Sequence, residues 1–329
     1  MRALQQHCTN HLADTTALLR QLVESESPTG DKTAAGICAR MVAHAFARRR
    51  ARITLHPQSA CGPFLEARFS TTRNQAAPVL LLGHYDTVWD VGTLARHPWR
   101  VQDGRIYGPG IFDMKGGIAL MISALDALIA VHEALPRPVI VALSGDEEAG
   151  SAGSRPIIEA LAKECAVVLV LEPAQGTAVK TARKGVGSFK VQVAGVAAHA
   201  GLDFANGQNA IVELARQVQA ASAFTDLERG LTVSVGHFTG GGSAVNVVPA
   251  HAEAVFDVRI KRLQDGPDIE QQFRSLQTFN PKCQLQVTGG INRPPLERTP
   301  AVAALYEKAE AIASELGFEL GEAAVGGGS

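Results

Sequence analysis

The stretch from Leu80 to Ser154 decides the fold. It contains Leu80-Leu-Leu-Gly-His84-Tyr-Asp86, then Gly108-Pro-Gly-Ile-Phe-Asp113-Met-Lys-Gly-Gly117, then Ser144-Gly-Asp146-Glu147-Glu148-Ala-Gly-Ser151. Each group of carboxylates or histidine follows a short apolar run or precedes a helix, and an open α/β sheet places its binding groups in this way, outside the carboxyl ends of its strands. Histidine and carboxylates without a thiolate motif suit zinc, cobalt or manganese. We therefore expect a pair of divalent metals that activate water.

The composition indicates a globular protein with a sizeable core. The chain has 329 residues, 46% of them hydrophobic and 19% charged, with a formal net charge of -1. This balance gives no electrostatic case for nucleic acid or an anionic membrane as a partner. The sequence has no uninterrupted run of 18 apolar residues and begins without the apolar segment of a signal peptide. Its five cysteines form no Cys-x-x-Cys motif. These features predict reduced thiols and a cytoplasmic protein.

The first half of the chain alternates strands with helices. Continuous apolar runs predict buried strands, and helical spacing predicts the helices between them, at Pro78–Gly83, Gly116–Val131, Pro138–Leu143, Ser154–Lys163 and Ala166–Leu171. Amphipathic helices are predicted before this region, at Leu12–Glu24 and Asp31–Arg49, and two strands at Arg52–His56 and Pro63–Phe69. Ser25, Ser27 and Thr29 lie between those helices, where a cleft and a simple turn explain them equally well. The alternation predicts an α/β fold with a mainly parallel, doubly wound sheet.

The pattern changes near residue 180. Alternating strands and two helices follow, at Ser188–Val193, Gly207–Ser222, Leu231–Phe238, Ala250–Ile260 and Asp265–Leu276. They predict a small α+β sandwich with one antiparallel sheet and two helices on one face. Pro300–Leu316 is predicted to be a helix that returns to the first domain. We therefore predict a catalytic domain at 1–181 and 294–329, with an inserted lid and dimerisation domain at 182–293.

Four strand ends and turns carry the candidate metal chemistry. His84 and Asp86 follow a buried strand on the same side of an extended backbone, so that the carboxylate can orient the imidazole. Taken alone, His84 is as easily a hydrogen-bonded core histidine as a ligand. Asp113, between two glycine-rich segments, is either a ligand able to bridge two cations or a helix N-cap.

The acidic run at residues 146–148 needs a compensating charge. Adjacent carboxylates at a buried strand end repel one another, so that a cation must bind there or one group must hold a proton. A metal permits a division of roles in which one glutamate is a ligand and its neighbour a general base. The alternative is a solvated acidic loop. Glu172 ends the next strand and is the fourth such group.

Taken together, these motifs resemble the dinuclear-zinc metallopeptidases. The matching segments are Gly-His84-Tyr-Asp86-Thr-Val, Tyr-Gly-Pro-Gly-Ile-Phe-Asp113-Met-Lys-Gly-Gly, Asp-Glu147-Glu148-Ala-Gly-Ser-x-Gly-Ser-Arg and Glu172-Pro. That family includes glutamate carboxypeptidase, acetylornithine deacetylase, succinyl-diaminopimelate desuccinylase and aminoacylase, and the spelling is most similar to the glutamate carboxypeptidase branch.

The resemblance implies a role for each matching residue. His84 and Glu172 would hold one zinc, Glu148 would hold the other, and Asp113 would bridge the two ions. The peptide bond between Asp113 and Met114 would be cis. Glu147 would be the general base and acid, and Asp86 the partner of His84. In the inserted domain, His199 would stabilise the oxyanion in the partner subunit of a homodimer. The segments around Asn246 and Arg259 would bind the substrate carboxylate.

The chain departs from the family pattern at its C-terminus. Members of the family bind the second zinc with a histidine downstream of a glycine-rich loop. The given sequence ends within that loop, at Gly326-Gly-Gly-Ser329. We expect a truncated reading of a longer protein, with weak second-metal binding and little activity. The favoured function is a zinc-dependent exopeptidase that releases a C-terminal amino acid. The alternatives are an N-acyl-amino-acid deacylase and a truncated, non-catalytic binding protein. The exact substrate and the native metal stay open.

Overall fold

The computed structural model describes residues 1–71 and 76–328. The chain divides into two compact units, Met1–Pro173 and Ala174–Ser329. The predicted inner boundaries at 181/182 and 293/294 stay a prediction.

The helices of the described residues lie close to the predicted ones, and the first of them was not predicted. They are α1 (Arg2–Asn10), α2 (Leu12–Glu24), α3 (Lys32–Ala47), α4 (Gly116–His132), α5 (Arg155–Glu164), α6 (Ala210–Ser222), α7 (Asp265–Arg274) and α8 (Pro300–Glu315).

The described strands include several short ones that the sequence did not reveal. They are β1 (Arg52–His56), β2 (Phe64–Phe69), β3 (Val79–His84), β4 (Arg100–Gln102), β5 (Arg105–Tyr107), β6 (Val139–Ser144), β7 (Val167–Val170), β8 (Ala178–Ala194), β9 (Ala198–His199), β10 (Thr232–Gly240), β11 (Val247–Val248), β12 (His251–Ile260), β13 (Gln284–Arg293) and β14 (Gly321–Gly328).

The first unit is built on a sheet with the strand order β1-β2-β6-β3-β7. β3 lies in the middle of the parallel part, between β6 and β7, while β1 and β2 extend the sheet with antiparallel pairs. Every residue of β6 is buried. Val141 faces the core formed with α2, α3 and α4, and its neighbour Ile140 faces the core formed with α5. The predicted doubly wound α/β sheet is confirmed, with helices on both faces.

The second unit contains the predicted α+β sandwich. Its antiparallel sheet has the order β10-β12-β8-β13, and α6 and α7 pack on one face. Phe273 of α7 is the centre of an aromatic cluster, stacked on Phe189 at 4.1 Å and edge-on to Phe256 at 5.3 Å. β14 pairs in parallel with the first part of β8. Alternation of buried and exposed residues along β8 and β12 is what one covered face requires.

One helical segment is long and apolar enough to cross a membrane. It covers Ile111–His132, and 44% of its most apolar window is buried within the protein. Core helices meet the same criteria, and α4 contributes Ile118, Met121, Ile122 and Leu125 to the core of the first unit. The segment is therefore weak evidence for a membrane span.

Candidate metal centre

Parallel strand ends bring the predicted groups to one edge of the first sheet. His84 is the last residue of β3. Glu147 and Glu148 follow β6, and Glu172 follows β7. Because β3 lies between β6 and β7, the imidazole has carboxylates on both sides. Asp113 reaches the same place from the turn that precedes α4.

His84 is the centre of the cluster. Its Nε2 atom lies 3.0 Å from Oδ1 of Asp113 and 3.2 Å from Oε1 of Glu172. One ligand atom from each of the three residues lies within 4.8 Å of the others, the spacing of groups that can hold one metal ion. The imidazole is buried, whereas the carboxylate of Asp113 is exposed. The cluster is therefore supported from beneath and open on one side.

The ring of His84 is oriented for a cation. Its Nδ1 atom lies 3.0 Å from the backbone carbonyl of Asp86, so that an N–H there donates to the carbonyl and Nε2 faces the carboxylates. A carbonyl behind the ring is the usual partner of a metal-binding histidine. Burial alone would lower the pKa of His84, but hydrogen bonds to Asp113, Asp86 and Glu172 raise it to about 12. The carboxylates thus hold a positive charge at this position, and a proton supplies it when no metal does. Imidazole with two carboxylates fits zinc.

Asp86 joins the ring to the turn that carries the glutamates. Its fully buried carboxylate lies 3.3 Å from Nδ1 of His84 and accepts a hydrogen bond of 2.7 Å from the hydroxyl of Thr29. It also accepts from the backbone N–H groups of Glu147 at 3.3 Å and Glu148 at 3.2 Å. The predicted contact between Asp86 and the imidazole is present. The same carboxylate also positions the turn, which the sequence did not indicate.

The acidic run separates into two parts. Asp146 faces away from the cluster, where Oδ2 accepts from the N–H groups of Gly153 at 2.8 Å and Ser154 at 3.2 Å. Oε2 of Glu147 lies 4.0 Å from Nε2 of His84. Burial and the negative charges of Asp113 and Glu147 raise the pKa of Glu148 to about 7. The expected repulsion among neighbouring carboxylates is therefore present at Glu148, where it favours the protonated form more than at an exposed glutamate.

The backbone at Asp113 has the geometry that the resemblance implies. The Asp113–Met114 peptide bond is cis. Met114 is fully buried, and its sulfur lies 3.2 Å from the backbone nitrogen of His84. Lys115 precedes α4, and no side chain caps the helix. The N-cap alternative for Asp113 is therefore wrong.

Two polar residues support the centre from beneath, and the sequence assigned neither of them to it. Thr29 had been left open between a cleft and a turn, and its hydroxyl binds Asp86. Lys115 is almost completely buried, and its Nζ atom donates to the backbone carbonyl of Ser25 at 3.1 Å. Burial lowers the pKa of this amine. The sequence signal for Lys115 was its position within a glycine-rich segment. Backbone turns near such a segment offer carbonyl groups to which a buried amine can donate.

The second unit brings two of its three predicted residues together. β9 and β11 pair so that His199 is opposite Val247, and the carbonyl of Asn246 accepts from the N–H of Ala200 at 2.8 Å. Nδ1 of His199 accepts from two backbone N–H groups, those of Gly201 and Leu202, each at 3.1 Å. Because Nδ1 accepts both hydrogen bonds, the ring carries its N–H at Nε2. The side chain is exposed.

Arg259 lies near the end of β12, in the β10-β12-β8-β13 sheet of the second unit rather than in the β9–β11 pair. Roughly 27 Å of strand separates it from His251, where the Asn246 segment joins β12. Its guanidinium forms a two-pronged ion pair with Asp257, with distances of 2.7 and 2.9 Å. The structure therefore does not place Arg259 with His199 and Asn246 within the second unit.

Known proteins match the chain in sequence and in fold. It is 31% identical over 299 residues to carboxypeptidase G2 of Pseudomonas sp. (strain RS-16), covering 82% of this chain and 72% of that protein. It is 31% identical over 206 residues to the succinyl-diaminopimelate desuccinylase of Cereibacter sphaeroides, covering 57% of this chain and 53% of that protein. The chain thus spans about half the length of this desuccinylase.

A solved structure shares the fold. The aminopeptidase PepT of Bacillus cereus superimposes with a TM-score of 0.75 at 18% identity, over 96% of this chain and 85% of that one. The model of peptidase family M20/M25/M40 matches residues 80–329, well over half of the sequence. The chain therefore belongs to peptidase family M20/M25/M40 and to the hydrolases of the metallopeptidase and amidohydrolase class.

Proposed function

We propose that this protein hydrolyses the amide bond next to a C-terminal amino acid, as a zinc-dependent exopeptidase of the glutamate carboxypeptidase type. The observation that carries the proposal is the convergence of His84, Asp113 and Glu172 beside Glu147. A histidine with carboxylate ligands and a neighbouring carboxylate that can act as a base is what metal-assisted amide hydrolysis requires. Identity to carboxypeptidase G2 over most of the chain supports the exopeptidase assignment.

Each residue of the cluster has a separate task in this proposal. His84, Asp113 and Glu172 would hold the first zinc, and Asp113 and Glu148 would be the ligands of a second ion. Zinc bound here would lower the pKa of a water and polarise the substrate carbonyl. Asp86 keeps the imidazole of His84 in orientation from behind, through the contact of 3.3 Å.

Glu147 is the general base and then the general acid. It takes a proton from the attacking water and passes it to the leaving amine. Its position supports this role, because its carboxylate is 4.0 Å from Nε2 of His84 and partly open to solvent. Asp86 accepts from its backbone N–H, which fixes the turn on which the carboxylate is mounted.

The second unit supplies substrate recognition in this proposal. His199 carries its proton on Nε2 and donates it to the oxyanion, in a homodimer formed through the inserted domain. Asn246 and Arg259 are proposed to contact the substrate at separate places, because roughly 27 Å of strand lies between their segments within the second unit. The guanidinium fork of Arg259 suits the substrate carboxylate, and in the structure that fork binds the carboxylate of Asp257 through two hydrogen bonds.

A deacylase acting on N-acyl amino acids is the second candidate. It is favoured by the similarity to several succinyl-diaminopimelate desuccinylases, at 27% to 31% identity. Assays with N-acetyl, N-succinyl and glutamate-terminated substrates separate the two activities. A protein that binds zinc but hydrolyses none of them would instead be the non-catalytic binding protein.

The Glu147→Gln variant tests the mechanism. The amide cannot take a proton, so turnover should fall at least about 100-fold while zinc affinity stays unchanged. Glu159→Gln is the matched control, because Glu159 is an exposed glutamate on α5 that forms an ion pair with Arg155 on the same helix. Turnover retained by the Glu147 variant would refute the role assigned to that residue.

A further inference from the structure

Helices α1 to α4 of the first unit border a polar cavity that is separate from the metal centre. Its volume is about 580 Å³, and three histidines line it: His7 on α1, His11 between α1 and α2, and His44 on α3. The described residues that line the cavity include none of the residues assigned to the metal centre. The imidazoles gathered here therefore have no part in the proposed hydrolysis.

Two of these histidines form a pair. His7 and His11 are four residues apart at the end of α1, so their side chains are neighbours on one face. Their ring centroids are 4.1 Å apart, and the ring planes differ by 22°. Nδ1 of His11 lies 2.9 Å from the backbone carbonyl oxygen of His7. A carbonyl only accepts, so Nδ1 carries the N–H, and the lone pair of the neutral ring is on Nε2. A carbonyl behind the ring is the usual partner of a metal-binding histidine.

The spacing of the two rings suits a shared metal ion. Two zinc–nitrogen bonds of about 2 Å at the tetrahedral angle place their nitrogen atoms roughly 3.3 Å apart. Nearly parallel rings with centroids 4.1 Å apart need only small side-chain rotations to reach that separation. Histidines four residues apart on a helix are also the pair that binds zinc in helical His-Glu-x-x-His motifs.

The charged residues on the cavity wall favour a cation over an anion. Nε and Nη2 of Arg49 each donate to a carboxylate oxygen of Asp126 at 2.5 Å, and Nη1 donates to the carbonyl of Ala45 at 2.7 Å. The guanidinium fork that would bind an anion is thereby already engaged. Arg48 and Asp14, which carry opposite charges, also line the cavity. An anion gains little from this balance, whereas a neutral imidazole offers its nitrogen to a cation.

Helix α1 is the element that such an ion would stabilise. The helix contains no buried residue, although it packs against α2 and α4. Terminal segments fray unless a contact ties them down. An ion shared by a residue of the last turn of α1 and the residue that follows the helix would hold that turn closed.

We propose that His7 and His11 form a peripheral site for a divalent transition metal, with Ni²⁺ as its probe. Imidazole suits nickel, copper and zinc, and nitrogen ligands bind nickel more tightly than cobalt or iron. Water fills the remaining coordination positions, because the side chain of His11 is exposed. The site is therefore weaker than the metal centre, and it does not depend on the proposed hydrolysis.

Calorimetric titration of Ni²⁺ into the zinc-loaded protein tests the site. The wild-type protein should bind one nickel ion, and His7→Gln and His11→Gln should each lower the affinity at least about tenfold, because one of two nitrogen ligands is lost. His7→Gln combined with Thr9→His is the matched control. It keeps two histidines, but residues two apart do not face each other on a helix, so its affinity should be as low as that of the single variants. His132→Gln replaces an exposed histidine of α4 and should bind nickel like the wild type.

Hydrogen exchange followed by mass spectrometry gives a second readout. Nickel should slow exchange of the backbone N–H groups of residues 7–14 in the wild type and leave the His7→Gln variant unchanged. Denaturant midpoints confirm that each variant is folded, and the zinc content after titration confirms that the metal centre stays loaded. Absence of nickel binding in the wild type, unchanged affinity in both single variants, or wild-type affinity in the His7→Gln, Thr9→His protein would each overturn the site. None of these measurements uses turnover, so a failure of the proposed hydrolysis would leave their interpretation intact.

Discussion

Replacement of Asp86 by asparagine should weaken zinc binding more than any other change behind the metal ligands. The carboxylate receives three hydrogen bonds, from the hydroxyl of Thr29 and from two backbone N–H groups, and lies 3.3 Å from His84. Asparagine has the same shape, but only one of its two terminal atoms accepts. Whichever way the amide is turned, its NH₂ group faces a donor that was formerly satisfied.

The size of the effect follows from these contacts. Loss of one hydrogen bond to a charged acceptor, leaving a buried N–H without a partner, costs about 2–3 kcal/mol in the free energy of unfolding. Zinc affinity should fall about 10-fold to 100-fold, because the imidazole keeps the backbone carbonyl of Asp86 but loses the carboxylate charge beside Nδ1. Thr29→Val is the matched control. It removes one donor and keeps the charge, so that it should cost about 1 kcal/mol and change zinc affinity by less than about threefold.

Two measurements separate the effects. Guanidinium unfolding of the metal-free proteins gives the loss of stability, and competition with a chromophoric chelator gives the zinc dissociation constant. Zinc affinity of Asp86→Asn within about twofold of the wild-type value would refute the reasoning, whatever the change in stability.

Three further predictions concern the metal stoichiometry, a buried carboxylate of the second unit and the packing beneath the centre. Zinc titration followed by calorimetry should give one tight equivalent, because one cluster of imidazole and carboxylate ligands is present among the described residues; two tight equivalents would contradict this. Asp265→Asn should lower the free energy of unfolding by about 2 kcal/mol at pH 7, since the buried carboxylate binds two arginines. Although burial opposes it, these hydrogen bonds lower the folded-state pKa of Asp265, so its stabilisation is present above the unfolded value of about 3.9 and is lost as the pH falls through the folded value. The difference in unfolding free energy between variant and wild type should therefore be largest at pH 7 and should shrink as the pH is lowered below about 3.9. Gly117→Ala should reduce both stability and zinc affinity, because its Cβ would lie 2.2 Å from the carbonyl oxygen of Leu171, next to Glu172. Gly236→Ala, where the added carbon meets nothing within 4 Å, is the control, and equal behaviour of the two variants would contradict the packing argument.

The elements that the sequence predicted well are those with strong apolar periodicity. α2 and β1 begin and end at the predicted residues, and the buried strands β3 and β6 differ from the prediction by one residue at each end. A strand covered on both faces must be apolar throughout, so the length of the apolar run predicts where the strand begins and ends.

The elements that were missed lack this signal. α1 contains no buried residue, so it has no apolar stripe to detect. β13 pairs with only one neighbour of the sheet and contains Gly289 at φ +105°. β14 is rich in glycine and depends on pairing with β8, a contact distant in the chain. Local pattern cannot reveal a strand whose stability comes from its partner.

For the metal centre, the sequence predicted which strand ends lie together. The convergence of His84, Asp113 and Glu172 follows from parallel strands that share an edge, and the structure brings these residues together. The different orientation of Asp146 did not follow, because it depends on the turn at residues 146–151 and on the backbone N–H groups that this turn presents. Adjacent acidic residues look alike in a sequence until the turn assigns each a direction.

The short pairing between β9 and β11 fixes the position of His199 relative to Asn246. Backbone hydrogen bonds fix the register of these two segments. An insertion or deletion of one residue in either segment would therefore change which residues are opposite each other and which face their side chains occupy. Any redesign of the loops on either side must therefore keep both lengths unchanged, because a graft of one segment alone into a related scaffold would lose the pairing that fixes this register.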